Sequence, residues 1–152
     1  WKSCQTLYFT TPRNEDSRPL IGLVPNENTY VNNIFFHKTL ATEKSGPDEL
    51  LSVTVVKSHN LSESELISQV KKELEHECQI KDLKYLKTFK INKALPRLEH
   101  LAGDISPSET RLTDTIFLAG DYLLNGSLNA AMLSGEKAAM GIIEVMNKSI
   151  KA

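Results

Sequence analysis

The stretch IFLAGDYLLNGSLNAAMLSGEKAA, residues 116–139, determines how the rest of the chain is interpreted. Residues 115–119 form a short apolar run, which is typical of a strand buried on both faces of a parallel sheet. Gly120 and Asp121 follow this run, and helical spacing predicts a long helix over 128–147 after a short loop. The sequence therefore predicts a strand-turn-helix unit in which a carboxylate lies between the end of the strand and the start of the helix.

The predicted helix has a stripe of small residues along one side, which larger apolar residues extend. The small ones are Ala131, Ser134, Gly135, Ala138 and Ala139, and the larger ones are Ile142, Ile143 and Met146. Small residues let another backbone or a ligand approach closely, and a helix start offers free N–H groups to an oxygen or a developing anion. Asp121 and this helix start are therefore a candidate ligand clamp, because ligands of open α/β sheets bind outside the carboxyl ends of strands.

The first half of the chain has the pattern of a β-sheet. Alternating or apolar segments predict four strands, at 5–11, 20–24, 31–40 and 49–57. Polar turns are expected at 12–17 and 45–48. Short strands joined by polar turns predict an antiparallel meander.

An amphipathic helix is predicted after these strands. Ser62 is a good N-cap residue, and Glu65 three positions later completes a capping box. Apolar residues continue at helical spacing to Cys78, while Glu73 is among the polar residues outside that stripe. The helix is therefore expected to lie on the sheet.

A further strand is predicted over 83–95, and a loop over 97–113. Three of its lysines, Lys87, Lys90 and Lys93, are mixed with apolar residues. We interpret them as a solvated strand face rather than a nucleic-acid patch.

The amino-acid composition constrains the class of binding partner and the cellular compartment. The 152 residues include 18 basic and 19 acidic side chains, and the net charge of -1 argues against nucleic acid as a partner. No apolar run is long enough for a membrane-spanning helix. The two cysteines, Cys4 and Cys78, fit a reducing compartment and predict a cytoplasmic location. A single long-range disulfide and a membrane-peripheral full-length protein remain alternatives.

The histidines and the aromatic residues give weaker signals. The four histidines are widely separated in sequence and predict no metal site: His37, His59, His76 and His100. Four aromatic residues of the predicted strands have two open interpretations, as walls of an apolar substrate chamber or as ordinary sheet core: Tyr8, Phe9, Phe35 and Phe36.

At motif level, residues 116–139 resemble a known family. The pattern Leu-Ala-Gly-Asp (118–121), a loop, Ser-Leu-Asn-Ala-Ala (127–131) and Ser-Gly-x-x-Ala-Ala (134–139) is similar to the C-terminal FAD-binding segment of flavin-dependent amine oxidases. Within that superfamily it most resembles the phytoene desaturase branch. The order of upstream elements, with a strand ending in Ala-Leu-Pro-Arg (94–97), also resembles the C-terminal halves of these enzymes.

The resemblance implies a fold and a set of cofactor-binding residues. The fold is an α+β fragment, in which an antiparallel substrate-domain sheet with a packed helix precedes one strand-turn-helix unit of an FAD-binding Rossmann-like domain. Asp121 would accept a hydrogen bond from the FAD ribityl chain, and Gly120 would let the backbone come close to the cofactor. Ser127 and Leu128 would present backbone N–H groups near the flavin N1 and the C2 carbonyl. No catalytic residue is assigned.

The sequence also departs from the family pattern. Ala130 stands where the family has glycine, and Asn129 replaces an acidic residue. The GxGxxG turn that binds the ADP half of FAD in these enzymes does not occur in the sequence. The resemblance therefore implies the C-terminal portion of a larger flavoprotein, whose N-terminal dinucleotide-binding half is a missing partner.

The same reasoning predicts how the chain is divided. Residues 1–97 would be the substrate-domain sheet with its helix, and 98–113 a loop. Residues 114–152 would be the C-terminal strand and helix of the FAD-binding domain.

Two classes of function follow. The first is an FAD-dependent oxidoreductase that oxidises or desaturates an apolar or amine small molecule by hydride transfer to flavin, with this portion inactive alone. The alternative is a flavin-free ligand-binding or dimerising interaction module. A homodimer is expected under either reading, because a portion of a larger protein exposes surface that the missing half covers.

Overall fold

The computed structural model describes residues 1–12, 19–40 and 47–150. The chain divides into two compact units, Ser3–Ala94 and Leu95–Ala152, the second of which also includes Trp1–Lys2. The predicted domain limits at 97 and 113 stay predictions. Residues 13–17 of one predicted turn and 45–46 of the other lie outside the described residues.

The unit Ser3–Ala94 is built around an antiparallel sheet of five strands, with strand order β2-β3-β4-β1-β5. The strands are β1 (Lys2–Thr11), β2 (Gly22–Leu23), β3 (Val31–Phe36), β4 (Glu49–Val55) and β5 (Lys84–Leu95). The prediction of an α+β chain with an antiparallel sheet is confirmed. β3 ends earlier than predicted, because the chain turns at His37–Thr39.

The predicted meander is wrong for the first strand. β2, β3 and β4 are neighbours in order, but β1 pairs with β4, in a register from Gln5↔Val55 to Thr11↔Glu49. β1 and β4 have the strongest apolar alternation and occupy central positions, where both edges are paired. β2 has two residues and forms an edge, as short strands commonly do.

The core lies on one face of this sheet, under helix α1 (Glu63–Cys78). β1 and β4 direct alternate apolar residues to that face, and α1 covers them with its own buried stripe. These residues are Leu7, Phe9, Leu51, Val53, Val55, Leu66, Val70 and Leu74. The predicted position of the helix on the sheet is therefore confirmed.

The prediction that Glu73 lies outside the buried stripe of α1 is wrong. Its side chain is buried, and its Oε2 accepts hydrogen bonds from the backbone N–H groups of Tyr30 (2.9 Å) and Val31 (3.0 Å). Oε1 accepts a third hydrogen bond from Gln69 Nε2 at 3.0 Å. Glu73 thus ties α1 to the start of β3.

The capping box at the start of α1 is confirmed. The Ser62 hydroxyl accepts a hydrogen bond from the Glu65 backbone N–H at 3.3 Å, and the Ser62 N–H donates to Glu65 Oε2 at 2.7 Å. The side-chain and backbone hydrogen bonds from Ser62 lower the pKa of the Glu65 carboxyl below its ordinary value of 4.5. Two N–H groups that the helix itself cannot satisfy are paired in this way.

We expect Ser62→Ala to lower the free energy of unfolding by about 1 kcal/mol at neutral pH, the usual cost of losing an N-cap side chain. Because the pKa of Glu65 is lowered in the folded state, its contribution is complete above about pH 4.5 and is lost as the pH falls through the lowered pKa. The difference between the two proteins should therefore narrow in acid. Urea unfolding at neutral pH and at about pH 3.5 measures it.

Ser68→Ala is the matched control, since Ser68 is an exposed serine of the same helix. It should change stability by less than about 0.5 kcal/mol at either pH. A Ser62→Ala effect of equal size at both pH values would contradict the assigned role of Glu65.

The second unit contains helix α2 (Leu128–Ile150) and the turns Pro107–Thr110 and Asp121–Leu123. The predicted helix over 128–147 and the predicted loop over 97–113 are confirmed. Across the part of the chain that the structure describes, no helix is both long and apolar enough to span a membrane.

The predicted buried strand at 115–119 is wrong. This stretch makes one isolated antiparallel bridge, between Arg111 and Phe117, and Ile116 is 49% exposed. Hydrogen bonds from Leu118 N to Thr110 O and from Leu112 N to Ile116 O fold the segment back on itself. An apolar run becomes a doubly buried strand only with neighbouring strands on both sides, and here its local partner is a turn.

The buried face of α2 is narrower than predicted. It consists of Ala130, Ser134, Ala138 and Gly141, while the larger residues Ile142, Ile143 and Met146 are exposed. A Cβ on Gly141 would lie 2.8 Å from the Pro107 carbonyl oxygen and 2.9 Å from the Phe117 ring. The helix backbone therefore approaches the 107–117 segment so closely that only small residues fit between them.

Candidate functional site

Ser134 fastens the Gly-Asp segment to α2. The Gly120 backbone N–H donates to Ser134 Oγ at 2.9 Å. The Ser134 hydroxyl lies 3.0 Å from the carbonyl oxygens of Gly120 and Ala131, which share its single proton. Since Ser134 is fully buried, these hydrogen bonds fix Gly120 against the N-terminal part of α2.

Gly120 has a backbone conformation that suits glycine. Its φ of 156° and ψ of 160° lie in a region that residues with a Cβ rarely adopt. A Cβ at this position would also collide with the ring of Tyr122, whose Cδ1 would lie 2.7 Å away. Glycine here therefore allows this backbone conformation directly before the Asp121–Leu123 turn, and the Tyr122 ring fills the space beside its Cα.

Asp121 begins a tight turn that leads to the helix. Its backbone carbonyl accepts hydrogen bonds from the N–H groups of Leu124 (3.2 Å) and Gly126 (3.0 Å). Its half-buried side chain makes no hydrogen bond or ion pair within residues 1–12, 19–40 and 47–150. The carboxylate is thus positioned by its backbone and keeps its acceptor capacity.

Among the described residues, a side chain caps one N–H group at the start of α2. The Ser127 hydroxyl accepts from the Ala130 backbone N–H at 3.1 Å and donates to Asn125 Oδ1 at 2.6 Å. Helix geometry leaves the N–H groups of Leu128 and Asn129 without an intrahelical acceptor. These two donors, together with the partial positive charge of the helix start, favour an oxygen or an anion.

The site residues predicted from sequence therefore lie in one local arrangement. Gly120 and Asp121 stand at one end of the 120–127 turn, and Ser127 and Leu128 stand at the other, where α2 begins. A carboxylate acceptor and backbone N–H donors are thus available within the same turn. Such a pair can orient a ligand that carries both a hydroxyl group and an electron-rich heteroatom.

Charges near the turn are largely compensated. Lys137 of α2 pairs with Asp104 at 3.1 Å, and the hydrogen bond from Lys137 lowers the pKa of the Asp104 carboxyl below its ordinary value. Side-chain and backbone hydrogen bonds from Ser106 likewise lower the pKa of Glu109. These residues hold the 104–109 segment together and leave Asp121 outside their network.

The four aromatic residues of the sheet separate into two pairs. Phe9 and Phe36 are buried in the core beneath α1, which is the ordinary core interpretation. Tyr8 and Phe35 each contact the His37 ring, at centroid distances of 5.9 and 5.1 Å, and Tyr8 also meets Phe89 edge-on. An aromatic cluster of the unit Ser3–Ala94 thus remains a candidate wall for an apolar ligand.

The other candidates identified from sequence are placed as follows. Lys87, Lys90 and Lys93 of β5 are exposed, and Cys78 is half-buried against the core, where burial raises the pKa of its thiol. Cys4 and Cys78 are free thiols. The described histidines, cysteines and acidic residues form no group of three that could hold a metal ion.

Sequence reasoning missed the role of Ser134. It counted this residue only as a member of the small stripe, whereas the structure makes it the hydrogen-bond anchor of Gly120. A polar residue at the centre of an otherwise apolar helix face was the available signal, because a buried hydroxyl requires a partner. Ala130, which departs from the family pattern, is buried within its unit and donates its N–H to the Ser127 cap.

The sequence matches no protein-family model and no curated protein. The resemblance to flavin-dependent amine oxidases therefore rests on the motif in residues 116–139 and on the order of the upstream elements.

Proposed function

We propose that this chain is the C-terminal portion of an FAD-dependent oxidoreductase, similar to amine oxidases and phytoene desaturases. Its second unit would supply the flavin-side clamp. The sheet of its first unit would belong to the domain that binds an apolar or amine substrate. The ADP half of FAD would be held by a dinucleotide-binding half, with a Rossmann-like sheet, outside the 152 residues.

The observation that carries the proposal is the placement of Asp121. Its carboxylate has no partner among the described residues, and its turn runs directly into the uncapped donors of α2. Because this side chain is only half-buried, its oxygens are open to hydrogen-bond donors from outside the segment. The ribityl hydroxyls of FAD are donors of the required kind.

The residues of this chain would bind and orient the cofactor. Asp121 would accept a hydrogen bond from a ribityl hydroxyl, and Ser134 would fix its position through Gly120. The Ser127 and Leu128 N–H groups, together with that of Asn129, would stabilise negative charge near the flavin N1 and C2 carbonyl. FAD, when bound, supplies the acceptor for the hydride and carries out the redox chemistry itself.

Most of the candidate residues are chemically compatible with FAD, but the side chain of Tyr122 would have to rotate. The Asp121 acceptor and the helix donors have the required chemistry, and the buried methyl group of Ala130 lies inside its unit. The Tyr122 ring covers Gly120, so a cofactor approaching this glycine closely would displace that ring. Tyr122 is 43% exposed, and such a rotation does not disturb the core.

The test is the visible absorption spectrum of the purified product of the complete reading frame. We expect the bands of oxidised flavin, and we expect Asp121→Ala to weaken FAD binding about 10- to 100-fold, because it removes a hydrogen bond to a charged acceptor. Asp121→Asn keeps an acceptor oxygen and should lose less.

Asp114→Ala is the matched control. Asp114 is an exposed carboxylate of the same unit that pairs with Arg111, and its loss should leave FAD binding unchanged. A protein that stays colourless after incubation with FAD would contradict the proposal and favour the flavin-free binding or dimerising module.

A further inference from the structure

A second face of α2 is apolar and exposed. The helix uses Ala130, Ser134, Ala138 and Gly141 to pack inside its own unit. Another row lies roughly 120° further around the helix, at about 100° per residue. This row, the α2 seam, consists of Leu128, Met132, Gly135, Ala139, Ile142 and Met146.

The large residues of the α2 seam are open to solvent. Leu128 is 78% exposed, Met132 is 69%, Met146 is 59% and Ile142 is 42%. Single exposed apolar residues are common, but a continuous row along one helix marks an interaction surface. The seam contains no charged residue.

The spacing of the α2 seam is that of helix-on-helix packing. Successive members are separated alternately by four and three positions, the pattern of the a and d positions of a coiled coil. The six positions span about 27 Å of helix at about 1.5 Å per residue. The partner expected from this pattern is another helix.

The order of side-chain sizes along the seam reads the same in both directions. About a centre at position 137, Leu128 corresponds to Met146, Met132 to Ile142, and Gly135 to Ala139. Large residues occupy both ends and small residues occupy the middle. A seam of this kind is complementary to an antiparallel copy of itself, because each large residue meets a large residue and the small ones meet where the helices cross.

We propose that the α2 seam is the contact surface of a two-fold homodimer in which two α2 helices pack antiparallel. A two-fold axis brings residue i against j and residue j against i, and the mirrored order of sizes satisfies that requirement. Gly135 and Ala139 let the two backbones approach at the crossing. The inference stands independently of the flavin proposal, since it uses the exposed side chains of α2 and none of the cofactor-binding residues except the Leu128 side chain.

Sedimentation equilibrium of the 152-residue chain tests the dimer. One helix face on each copy is a small interface of the weak class, and we expect half-dimerisation on the order of 10 µM. Met132→Lys and Ile142→Lys should each raise that concentration at least about tenfold, because they place a charge in an apolar contact. Leu101→Lys changes an equally exposed residue of the same unit outside α2 and should leave it unchanged.

Cysteine cross-linking tests the antiparallel register, in a background where Cys4 and Cys78 are replaced by Ala. A mixture of Met132→Cys and Ile142→Cys chains should form the mixed disulfide under mild oxidation, because these positions face each other. Met132→Cys alone should not, since its two copies would lie about 15 Å apart along the helices at about 1.5 Å per residue. Circular dichroism of each variant confirms that the helices are intact.

The proposal fails on any of three results. A protein that stays monomeric at every concentration up to the millimolar range would show that the α2 seam is not a homodimer contact. A dimer that persists in both lysine variants would place the contact elsewhere. Efficient cross-linking of Met132→Cys to itself would indicate parallel helices.

Discussion

Glu73→Ala should destabilise the unit Ser3–Ala94 by about 3–5 kcal/mol, a large part of the total stability of an ordinary domain. The substitution removes the acceptor of two backbone N–H groups, those of Tyr30 and Val31, at the point where β3 enters the sheet. The Val31 donor would stay buried without a partner and the Tyr30 donor partly buried, and losing the partner of a buried group costs about 1–3 kcal/mol. Urea unfolding monitored by circular dichroism measures the change.

Two further variants separate this effect from a general loss of charge on α1. Glu73→Gln keeps one acceptor oxygen and should lose about half as much stability, about 1.5–2.5 kcal/mol. Glu75→Ala removes a neighbouring carboxylate that is 61% exposed and pairs with Lys81 at 3.8 Å, so it should change stability by less than about 0.5 kcal/mol. A Glu73→Ala protein as stable as Glu75→Ala would show that the buried hydrogen bonds contribute little.

Ser134→Ala should be the most damaging single-atom change in the second unit, at about 2–4 kcal/mol. It leaves the Gly120 N–H without its acceptor and the Gly120 carbonyl without its donor. The lost oxygen also leaves a small void in a fully buried position. Thermal unfolding monitored by circular dichroism measures the change.

Controls for this prediction come from the same unit. Ser108→Ala removes an exposed hydroxyl whose one hydrogen bond among the described residues is with the Ser106 side chain, and its effect should stay below about 0.5 kcal/mol. Ser134→Cys retains a similar volume and a weak donor, and should fall between alanine and serine. If Ser134→Ala lowers the stability no more than Ser108→Ala does, Ser134 does not hold Gly120 in place.

The same variant also bears on the proposed cofactor clamp. If Ser134 positions Asp121 through Gly120, Ser134→Ala should weaken FAD binding even at temperatures where the unit remains folded. Asp121→Ala should weaken FAD binding with little loss of stability, because the Asp121 side chain makes no hydrogen bond within the described residues. The two variants therefore distinguish a positioning residue from a residue that contacts the cofactor.

The sequence was most informative where the controlling contacts are local. The N-terminus of α1, its capping box and its buried stripe depend on residues three or four positions apart, and all were predicted. The start of α2 and the positions of the long strands follow from the same short-range patterns. The candidate site was also predictable as a segment, because its residues are neighbours in the chain.

The sequence was least informative where distant residues compete for the same place. Pairing of β1 with β4 brings together residues that are 38 to 50 positions apart in sequence, and alternation within a strand does not identify the strand with which it pairs. The 115–119 run has the composition of a buried strand. Its backbone, however, pairs with the adjacent 110–112 segment and forms one isolated bridge instead of a strand. The composition of a segment shows how much apolar surface it could bury, and the segments that pack beside it determine whether that surface is buried.

By itself, then, the sequence determined two helices, the principal strands and one turn that brings Gly120 and Asp121 to the start of α2. The tertiary structure alone decided the strand order, the burial of Glu73 and the anchoring of Gly120 by Ser134. It also decided which face of α2 is covered. Because that helix has apolar residues on two faces, periodicity predicts its helical form, and the close approach of the 107–117 segment selects the small-residue face for burial.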